Sequence, residues 1–391
     1  MANATTTRVI DETATDNPVV KYVNCRIESF RERTETPGVA VAIHTGGQDY
    51  LLNYGTRIAT KDKGTTEPVT SDTMFAIGSV TKVFTATLLG CQVATNKMAL
   101  SDRVTKHLPL ADPNGDLRAV SLQELATHTA GIDDKTQFKD LGHISTPLFA
   151  GDGPSKELCD YWSTWKNGFG AAIGTHWAYS NNGFVTLGYA VANSAEIGYP
   201  TIFQAFITGP LKMNSTMPGD LTPPPGPALA QGYVRRKDRV VPVSGKAADL
   251  YSTSHDMLIW LKANLGLIDG LPTPLASALA IAHGGPDGGP YFDGLNNKSA
   301  SGGPDPLPFN MGLAWQISAA GPGSSPPPVF AKDGATSRGG GSAWIGFIAD
   351  PQNPSAVAVL TNLDGAGPDK MARDILLHLL GLPAGEERLP G

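Results

Sequence analysis

Three widely separated groups of residues carry side chains that could perform nucleophilic chemistry. Ser79 and Lys82 stand three positions apart in "SVTK", so on a helix they would share one face. A serine hydroxyl is a poor nucleophile at neutral pH and needs a base within hydrogen-bond reach. A lysine amine can act as that base only where burial or a second cation lowers its pKa. On these four residues alone, an ordinary helix opening with Ser79 as its cap is the better interpretation.

Two later segments offer groups that such a pair lacks. Tyr179 and Asn181 stand two positions apart in "YSN", just before a run typical of a helix, so a phenol and a carboxamide could face one cavity. Lys332 and Gly334 precede a glycine-rich turn and a strand-like run, where backbone N–H groups can stabilise an oxyanion. Taken separately, Asn181 could simply cap a helix, and "KDG" could be an ordinary turn.

The ordered set of these three groups resembles the three-motif signature of the serine β-lactamase and penicillin-binding-protein superfamily. The tyrosine-containing second motif is similar to that of the class C β-lactamase branch, which also includes D-alanyl-D-alanine carboxypeptidases, D-aminopeptidases, esterases and acyltransferases. Other stretches resemble segments of the same family, and together they extend the resemblance over roughly residues 37–362: "ALSDRVTKHLP", "LATHTAGI", "DLYSTSHDMLIWL" and "GGGSAWIGFIADP".

The resemblance implies a catalytic role for five residues. Ser79 would be the nucleophile that becomes acylated, with Lys82 as its neighbouring amine. Tyr179 would be the general base and acid, held at or near phenolate by Lys82 and Lys332, because a phenol ordinarily titrates near pH 10. Asn181 would orient both the acyl amide of the substrate and the lysine.

The same resemblance implies how the substrate is held. The backbone N–H groups of Ser79 and Ala335 would form the oxyanion hole, and Asp333 and Gly334 would line the substrate-binding strand. The resemblance implies no metal and no organic cofactor. His128, in "LATHTAGI", belongs to a family stretch away from the chemistry, so we expect a buried structural histidine.

Asp333 departs from the family pattern, because members that bind carboxylate substrates usually carry Thr or Ser at this position. Two like charges about 4 Å apart repel by on the order of 4 kcal/mol at an effective dielectric constant near 20. If Asp333 faces the substrate, neutral or cationic esters and amides become better candidates than penicillins, cephalosporins or D-Ala-D-Ala termini. Arg338 nearby could instead neutralise Asp333, or the Asp333 side chain could point away from the substrate.

The leading hypothesis is therefore a serine hydrolase that forms an acyl-enzyme on Ser79 and hydrolyses ester, amide or β-lactam bonds. Asp333 favours esterase or amidase action within that group. An acyltransferase would use the same acyl-enzyme, with an acceptor site shaped by the loops around 284–308 and 321–328. A catalytically decayed binding protein is a third hypothesis, which the intact reactive side chains disfavour.

Composition excludes several other classes of protein. The chain has 391 residues, 41% hydrophobic and 17% charged, which is enough for one large or two ordinary domains. Its net charge of -6 and its scattered basic residues give no electrostatic footprint for nucleic acid. Cys25, Cys91 and Cys159 lack the close spacing of a zinc site and are expected to be buried thiols.

The sequence also predicts where the protein acts and what it binds. No segment approaches the roughly 18 to 20 unbroken apolar residues of a membrane span. The N-terminal segment has no secretory leader, so we expect a cytoplasmic protein or, if a leader has been removed, a periplasmic or secreted one. The expected partner is a small-molecule ester, amide or β-lactam. The number of subunits is left open.

The elements that must position these groups follow from local patterns. The N-terminal region predicts a helix from Pro18 and a hairpin around Gly46-Gly47. The C-terminal region predicts a second hairpin around "DPQNP" and a final helix. We therefore expect an α/β (α+β) protein of β-lactamase/transpeptidase-like fold, an antiparallel sheet flanked by helices plus a mostly helical lobe. Residues 1–75 and 230–391 would form the sheet domain, residues 76–229 the lobe, and the active site would lie between them.

Overall fold

The computed structural model of the protein describes residues 9–11, 14, 16–59, 66–108, 110, 115–132, 134, 154, 156–168, 170–219, 221, 228–245, 247, 249–299, 303, 305–319 and 327–382. The chain divides into two compact units. Unit 1 contains Met1–Val80, Met213–Asp269 and Ala319–Gly391, and unit 2 contains Thr81–Lys212 and Gly270–Ser318. Residues 270–318 thus lie in unit 2, whereas the sequence analysis assigns them to the sheet domain.

The strands and helices alternate irregularly along the chain. The strands are β1 (Val9–Asp11), β2 (Gly38–Thr45), β3 (Gln48–Ala59), β4 (Thr66–Pro68), β5 (Phe75–Ala76), β6 (Met217–Pro218), β7 (Tyr233–Arg236), β8 (Arg239–Pro242), β9 (Leu250–Ser252), β10 (Asn310–Met311), β11 (Gln316–Ser318), β12 (Val329–Thr336), β13 (Gly341–Ile348) and β14 (Ser355–Thr361). The α-helices are α1 (Pro18–Thr34), α2 (Thr81–Ala94), α3 (Leu122–Ala126), α4 (Lys156–Thr164), α5 (Asn181–Ala195), α6 (Tyr199–Phe203), α7 (Gly209–Leu211), α8 (Ser254–Asn264), α9 (Thr273–His283) and α10 (Asp369–Leu379).

The main sheet of unit 1 joins strands from both ends of the chain. Its strands run in the order β1-β3-β2-β14-β13-β12, and β4 pairs with β3 beside them. All of these pairs are antiparallel except β1 with β3. Both predicted hairpins are present, as β2 with β3 and as β13 with β14. Smaller sheets, β5-β9-β6 and β7-β8, complete the strands of this unit.

Helices cover both faces of this sheet, which explains why its central strands are buried along their whole length and mostly apolar. Every residue of β2, β13 and β14 is buried. Helix α1 begins at Pro18, and the Asn17 side chain accepts hydrogen bonds from the backbone N–H groups of Val19 and Val20. Helices α1 and α10 pack with one face of the sheet into a single core, and α8 packs against β2 and β14 on the other face.

Unit 2 is mostly helical, and its central helix α2 is buried on nearly all sides. Helices α5 and α9 pack against α2. At the contact with α9, a Cβ built on Gly90 would lie 3.0 Å from both Cα and Cβ of Ala278. Two small residues therefore let the helix backbones approach closely. Helices α4 and α9 were not predicted from the sequence.

Replacement of Gly90 by leucine should destabilise unit 2, because the new side chain has no room against Ala278. We expect a Gly90→Leu variant to lose about 1 to 3 kcal/mol of unfolding free energy, measured by urea denaturation. Gly168→Leu is the matched control, because no described atom lies within 4 Å of a Cβ at that exposed position. Equal losses in the two variants would contradict close packing at Gly90.

Candidate active site

In unit 1, Ser79 lies on a short 3₁₀ turn, Gly78–Val80, that packs directly against strand β12. A Cβ added at Gly78 would lie 2.6 Å from the backbone nitrogen of Ala335, and one added at Gly334 would lie 2.9 Å from the backbone nitrogen of Ser79. Such distances are shorter than real Cβ contacts, so only glycine fits on either side. The two backbone nitrogens expected to hold an oxyanion therefore belong to segments in direct contact.

Lys332 and Asp333 lie within β12, which is followed, as expected, by a glycine-rich turn and the next strand, β13. The Lys332 side chain is only 2% exposed, and its Nζ donates 2.9 Å hydrogen bonds to the backbone oxygen and to Oδ1 of Asp333. A buried ammonium needs such acceptors. The Asp333 side chain is 51% exposed. The structure pairs Asp333 with Lys332, its neighbour in the chain, a partner that the sequence analysis did not consider.

A second carboxyl group, Asp369, lies on the same face of the sheet as Asp333. Asp333 is paired in register with Trp344, which belongs to the core beneath α10, and Asp369 is the first residue of α10. The pKa of the Asp369 carboxyl is raised to about 6, mainly by burial and secondly by the negative charge of Asp333. A hydrogen bond from its own backbone N–H and the charge of Lys332 act in the opposite direction. Sequence analysis did not single out this residue.

In unit 2, Lys82, Tyr179 and Asn181 come together around the amine of Lys82. The Lys82 Nζ donates a 2.7 Å hydrogen bond to Oδ1 of Asn181. The same ammonium lies 5.0 Å from the centre of the Tyr179 ring and 5.8 Å from that of Phe184, within the range of cation–π attraction. The lysine is 7% exposed, as its apolar sequence neighbours suggested.

The segment before α5 is held by the loop that follows α3. Ser180, not Asn181, is the N-cap of α5, and its Oγ accepts a 2.8 Å hydrogen bond from the backbone N–H of Gly183. His128 is 2% exposed, and its Nδ1 accepts a 3.1 Å hydrogen bond from the backbone N–H of Ser180. Its ring packs on Tyr179 with centroids 4.4 Å apart. The expectation of a buried histidine is confirmed, but His128 is not remote from the predicted catalytic residues, because it contacts Tyr179.

Asp134 is a polar residue of this site that the sequence analysis missed. Its Oδ2 accepts hydrogen bonds from the backbone N–H and from Nδ2 of Asn181, at 3.0 and 2.8 Å. Its Oδ1 accepts from the backbone N–H of Asn182 at 3.0 Å and from Oγ of Ser180 at 3.4 Å. Its position two residues after the end of "HTAGI" is the signal that the sequence offers.

The predicted site residues thus form two sets. In unit 1, Ser79 is brought together with the β12 residues Lys332, Asp333, Gly334 and Ala335. In unit 2, Lys82 is brought together with Tyr179 and Asn181. Each set combines side chains that are far apart in the sequence.

Comparison with known proteins identifies the family. The family model described as "Beta-lactamase" matches residues 24–382. The chain belongs to the β-lactamase family. A β-lactamase of Pseudomonas fluorescens is 30% identical over 278 residues, which cover 70% of this chain and 71% of that protein. The β-lactamases are serine hydrolases of the kind that the three motifs predicted, so the predicted superfamily is confirmed.

Solved structures show the fold of this β-lactamase family member. A class C β-lactamase matches with a TM-score of 0.72 at 23% identity, over 92% of this chain and 95% of that one. The octameric penicillin-binding protein homologue from Pyrococcus abyssi matches with a TM-score of 0.70 at 22% identity, over 94% and 79% of the two chains. The predicted fold class is therefore confirmed. Within the described residues, every helix is too short or too polar to cross a lipid bilayer.

The raised pKa of Asp369 should make this residue's contribution to the stability of the β-lactamase family member fall as the pH rises. An ordinary aspartate titrates near 3.8, so between about pH 4 and pH 6 the folded protein keeps a proton that the unfolded chain has lost. The contribution of Asp369 to stability therefore decreases as the pH rises over this interval and then levels off. An Asp369→Asn variant should be more stable than the wild type at pH 8, by on the order of 2 kcal/mol, and equally stable at pH 4.

Chemical denaturation of both proteins at the two pH values measures this difference directly. The values at pH 4 serve as the internal control, because Asn and a protonated Asp are both neutral. A stability difference that is the same at pH 4 and pH 8 would contradict the assigned direction of the pKa shift.

Proposed function

We propose that the protein forms an acyl-enzyme on Ser79 and hydrolyses neutral or cationic carboxylic esters or amides in preference to anionic β-lactams. The observation that carries this choice of substrate is the half-exposed carboxylate of Asp333. It stands on β12 between Lys332 and Gly334, and Gly334 packs against the backbone of Ser79.

In the proposed acylation, Oγ of Ser79 attacks the substrate carbonyl carbon while its proton passes to the Tyr179 phenolate oxygen. The negative charge that develops on the carbonyl oxygen is stabilised by the backbone N–H groups of Ser79 and Ala335. Each such donor is typically worth roughly 3 to 4 kcal/mol in the transition state. The tetrahedral intermediate then releases the alcohol or amine, which takes the proton from Tyr179. Water attacks the acyl-enzyme by the same proton transfers in reverse order and regenerates the Ser79 hydroxyl.

The contacts of Lys82 support this assignment of roles. Its ammonium lies beside the Tyr179 ring and is held by a neutral acceptor, the carboxamide oxygen of Asn181. The positive charge of an ammonium at this distance from the ring can favour the phenolate form of the tyrosine. The proposed roles of Asn181 are to fix this amine and to bind the substrate's acyl amide.

The charge of Asp333 supports the proposed substrate class. Its Oδ1 accepts from Nζ of Lys332, which neutralises the cation that an anionic substrate would otherwise meet on β12. A carboxylate on the substrate placed about 4 Å from Asp333 would be repelled by on the order of 4 kcal/mol at an effective dielectric constant near 20. A neutral ester avoids this cost, and a cationic group would gain from the same carboxylate.

The role of Ser79 as the nucleophile can be tested by covalent labelling. Mass spectrometry after incubation with a fluorophosphonate should show one adduct on Ser79. A Ser79→Ala variant should show no adduct and should lose at least about 1,000-fold in p-nitrophenyl ester hydrolysis, because no other hydroxyl replaces the nucleophile. Ser180→Ala is the matched control, since Ser180 caps α5 and should remain dispensable for labelling. Unlabelled Ser79 in a folded, stable wild type would instead favour a binding protein.

The role of Asp333 in substrate choice can be tested with two variants, one that removes its charge and one that also introduces a hydroxyl group. We expect Asp333→Asn to raise the ratio of anionic β-lactam to neutral ester hydrolysis, expressed as kcat/KM, by roughly 10- to 100-fold, because like-charge repulsion disappears. Asp333→Thr should raise it further by adding a hydroxyl donor. The parallel ratio for a cationic ester over a neutral ester should fall in both variants. Unchanged ratios in both would exclude Asp333 from substrate recognition.

A further inference from the structure

The Asn181 carboxamide accepts a hydrogen bond through its oxygen and donates one through its nitrogen. Its oxygen accepts from the Lys82 ammonium at 2.7 Å, and its Nδ2 donates to Oδ2 of Asp134 at 2.8 Å. A carboxamide rotated by 180° would place its oxygen against the Asp134 carboxylate and its NH₂ group against the lysine ammonium. Both contacts would then be repulsive, because neither an acceptor pair nor a donor pair can share a hydrogen. The charges of the two neighbours therefore determine a single orientation.

Asp134 is held in place well enough to determine that orientation. Besides Nδ2 of Asn181, it accepts from the backbone N–H groups of Asn181 and Asn182, both at 3.0 Å, and from Oγ of Ser180. These groups all belong to the first turn of α5 or to its cap. Because a carboxylate has two oxygens and only accepts, it can satisfy all of these donors at once.

We infer that Asp134 is a positioning residue for the Ser79 chemistry. It locks the Asn181 carboxamide with the oxygen toward Lys82, and Asn181 in turn holds the amine beside Tyr179. Asp134 acts entirely through Asn181 and is not expected to touch the substrate. This inference rests on the proposed function, since it requires that Lys82 serve a nucleophilic Ser79.

An Asp134→Asn variant tests the inference. Asparagine keeps the size of the side chain, but it replaces one acceptor oxygen with a donor, so the donors of the α5 turn can no longer all be satisfied. Asn181 then loses the carboxylate that determines its orientation. We expect kcat for p-nitrophenyl ester hydrolysis, normalised to the amount of fluorophosphonate-reactive Ser79, to fall roughly 10- to 100-fold while KM changes little. Normalisation removes any effect of an unfolded fraction.

Ser180→Ala is the matched control for helix capping. It removes the hydrogen bond from the backbone N–H of Gly183 and the 3.4 Å hydrogen bond to Oδ1 of Asp134, but it leaves the carboxamide of Asn181 between Asp134 and Lys82. The control should lower the melting temperature without lowering kcat per reactive Ser79. A loss of kcat in Ser180→Ala as large as that in Asp134→Asn would reduce the role of Asp134 to capping and overturn the inference.

A double-mutant cycle separates action through Asn181 from a general structural effect. In an Asn181→Ala background, Asp134→Asn should no longer lower kcat, although it should still lower the melting temperature. Additive losses in kcat would overturn the inference. The failure of the proposed function would look different, because ester hydrolysis would then survive in Ser79→Ala. If hydrolysis depends on Ser79 but Asp134→Asn keeps the wild-type kcat, only the role of Asp134 is refuted.

Discussion

The contact between the Ser79 turn and strand β12 is the constraint on which the rest of unit 1's chemistry depends. Glycine occupies both sides of this contact, at Gly78 and Gly334, and a Cβ on either would overlap the opposing backbone. The segments that carry the backbone nitrogens of Ser79 and Ala335 can therefore pack this closely only with glycine at positions 78 and 334. Strand β12 itself is held in place by its pairing with β13 and, through it, with the buried centre of the sheet.

The buried lysines of the two units have different hydrogen-bond acceptors. In unit 2, the ammonium of Lys82 donates to the amide oxygen of Asn181 and lies over the rings of Tyr179 and Phe184. The ammonium of Lys332 is held by the carboxylate of Asp333. Burial of a charge is costly unless it is paired or hydrogen-bonded, so both arrangements stabilise the fold. The acceptor of Lys332 is a carboxylate, so position 333 is proposed to affect recognition.

The carboxylate of Asp333 has an electrostatic effect on Asp369 as well as its proposed effect on substrate recognition. Besides pairing with Lys332, Asp333 contributes to the raised pKa of Asp369, of which burial is the larger cause. The same like-charge repulsion is proposed to disfavour an anionic substrate beside Asp333.

Local sequence patterns were sufficient for much of the fold and for the chemical types of the site. The hairpin at Gly46-Gly47, the capped start of α1 and the groups "SVTK", "YSN" and "KDG" are all features of a few neighbouring residues. Helix α9 could not be predicted in the same way. Its packing depends on Gly90, which lies far from it in the sequence, and its own apolar residues do not show a clear helical face.

The amino-acid sequence by itself determined which reactive groups this protein has, because the three motifs are defined by residue type and short spacing. Only the tertiary structure decided how these groups are oriented and charged. The orientation of Asn181 depends on Asp134, 47 positions earlier, and the high pKa of Asp369 depends on Asp333 across the packed face of the sheet. The physical reason is that hydrogen bonds and electrostatic interactions depend on the distance between groups in space. The path of the folded chain determines that distance, whereas the local sequence does not.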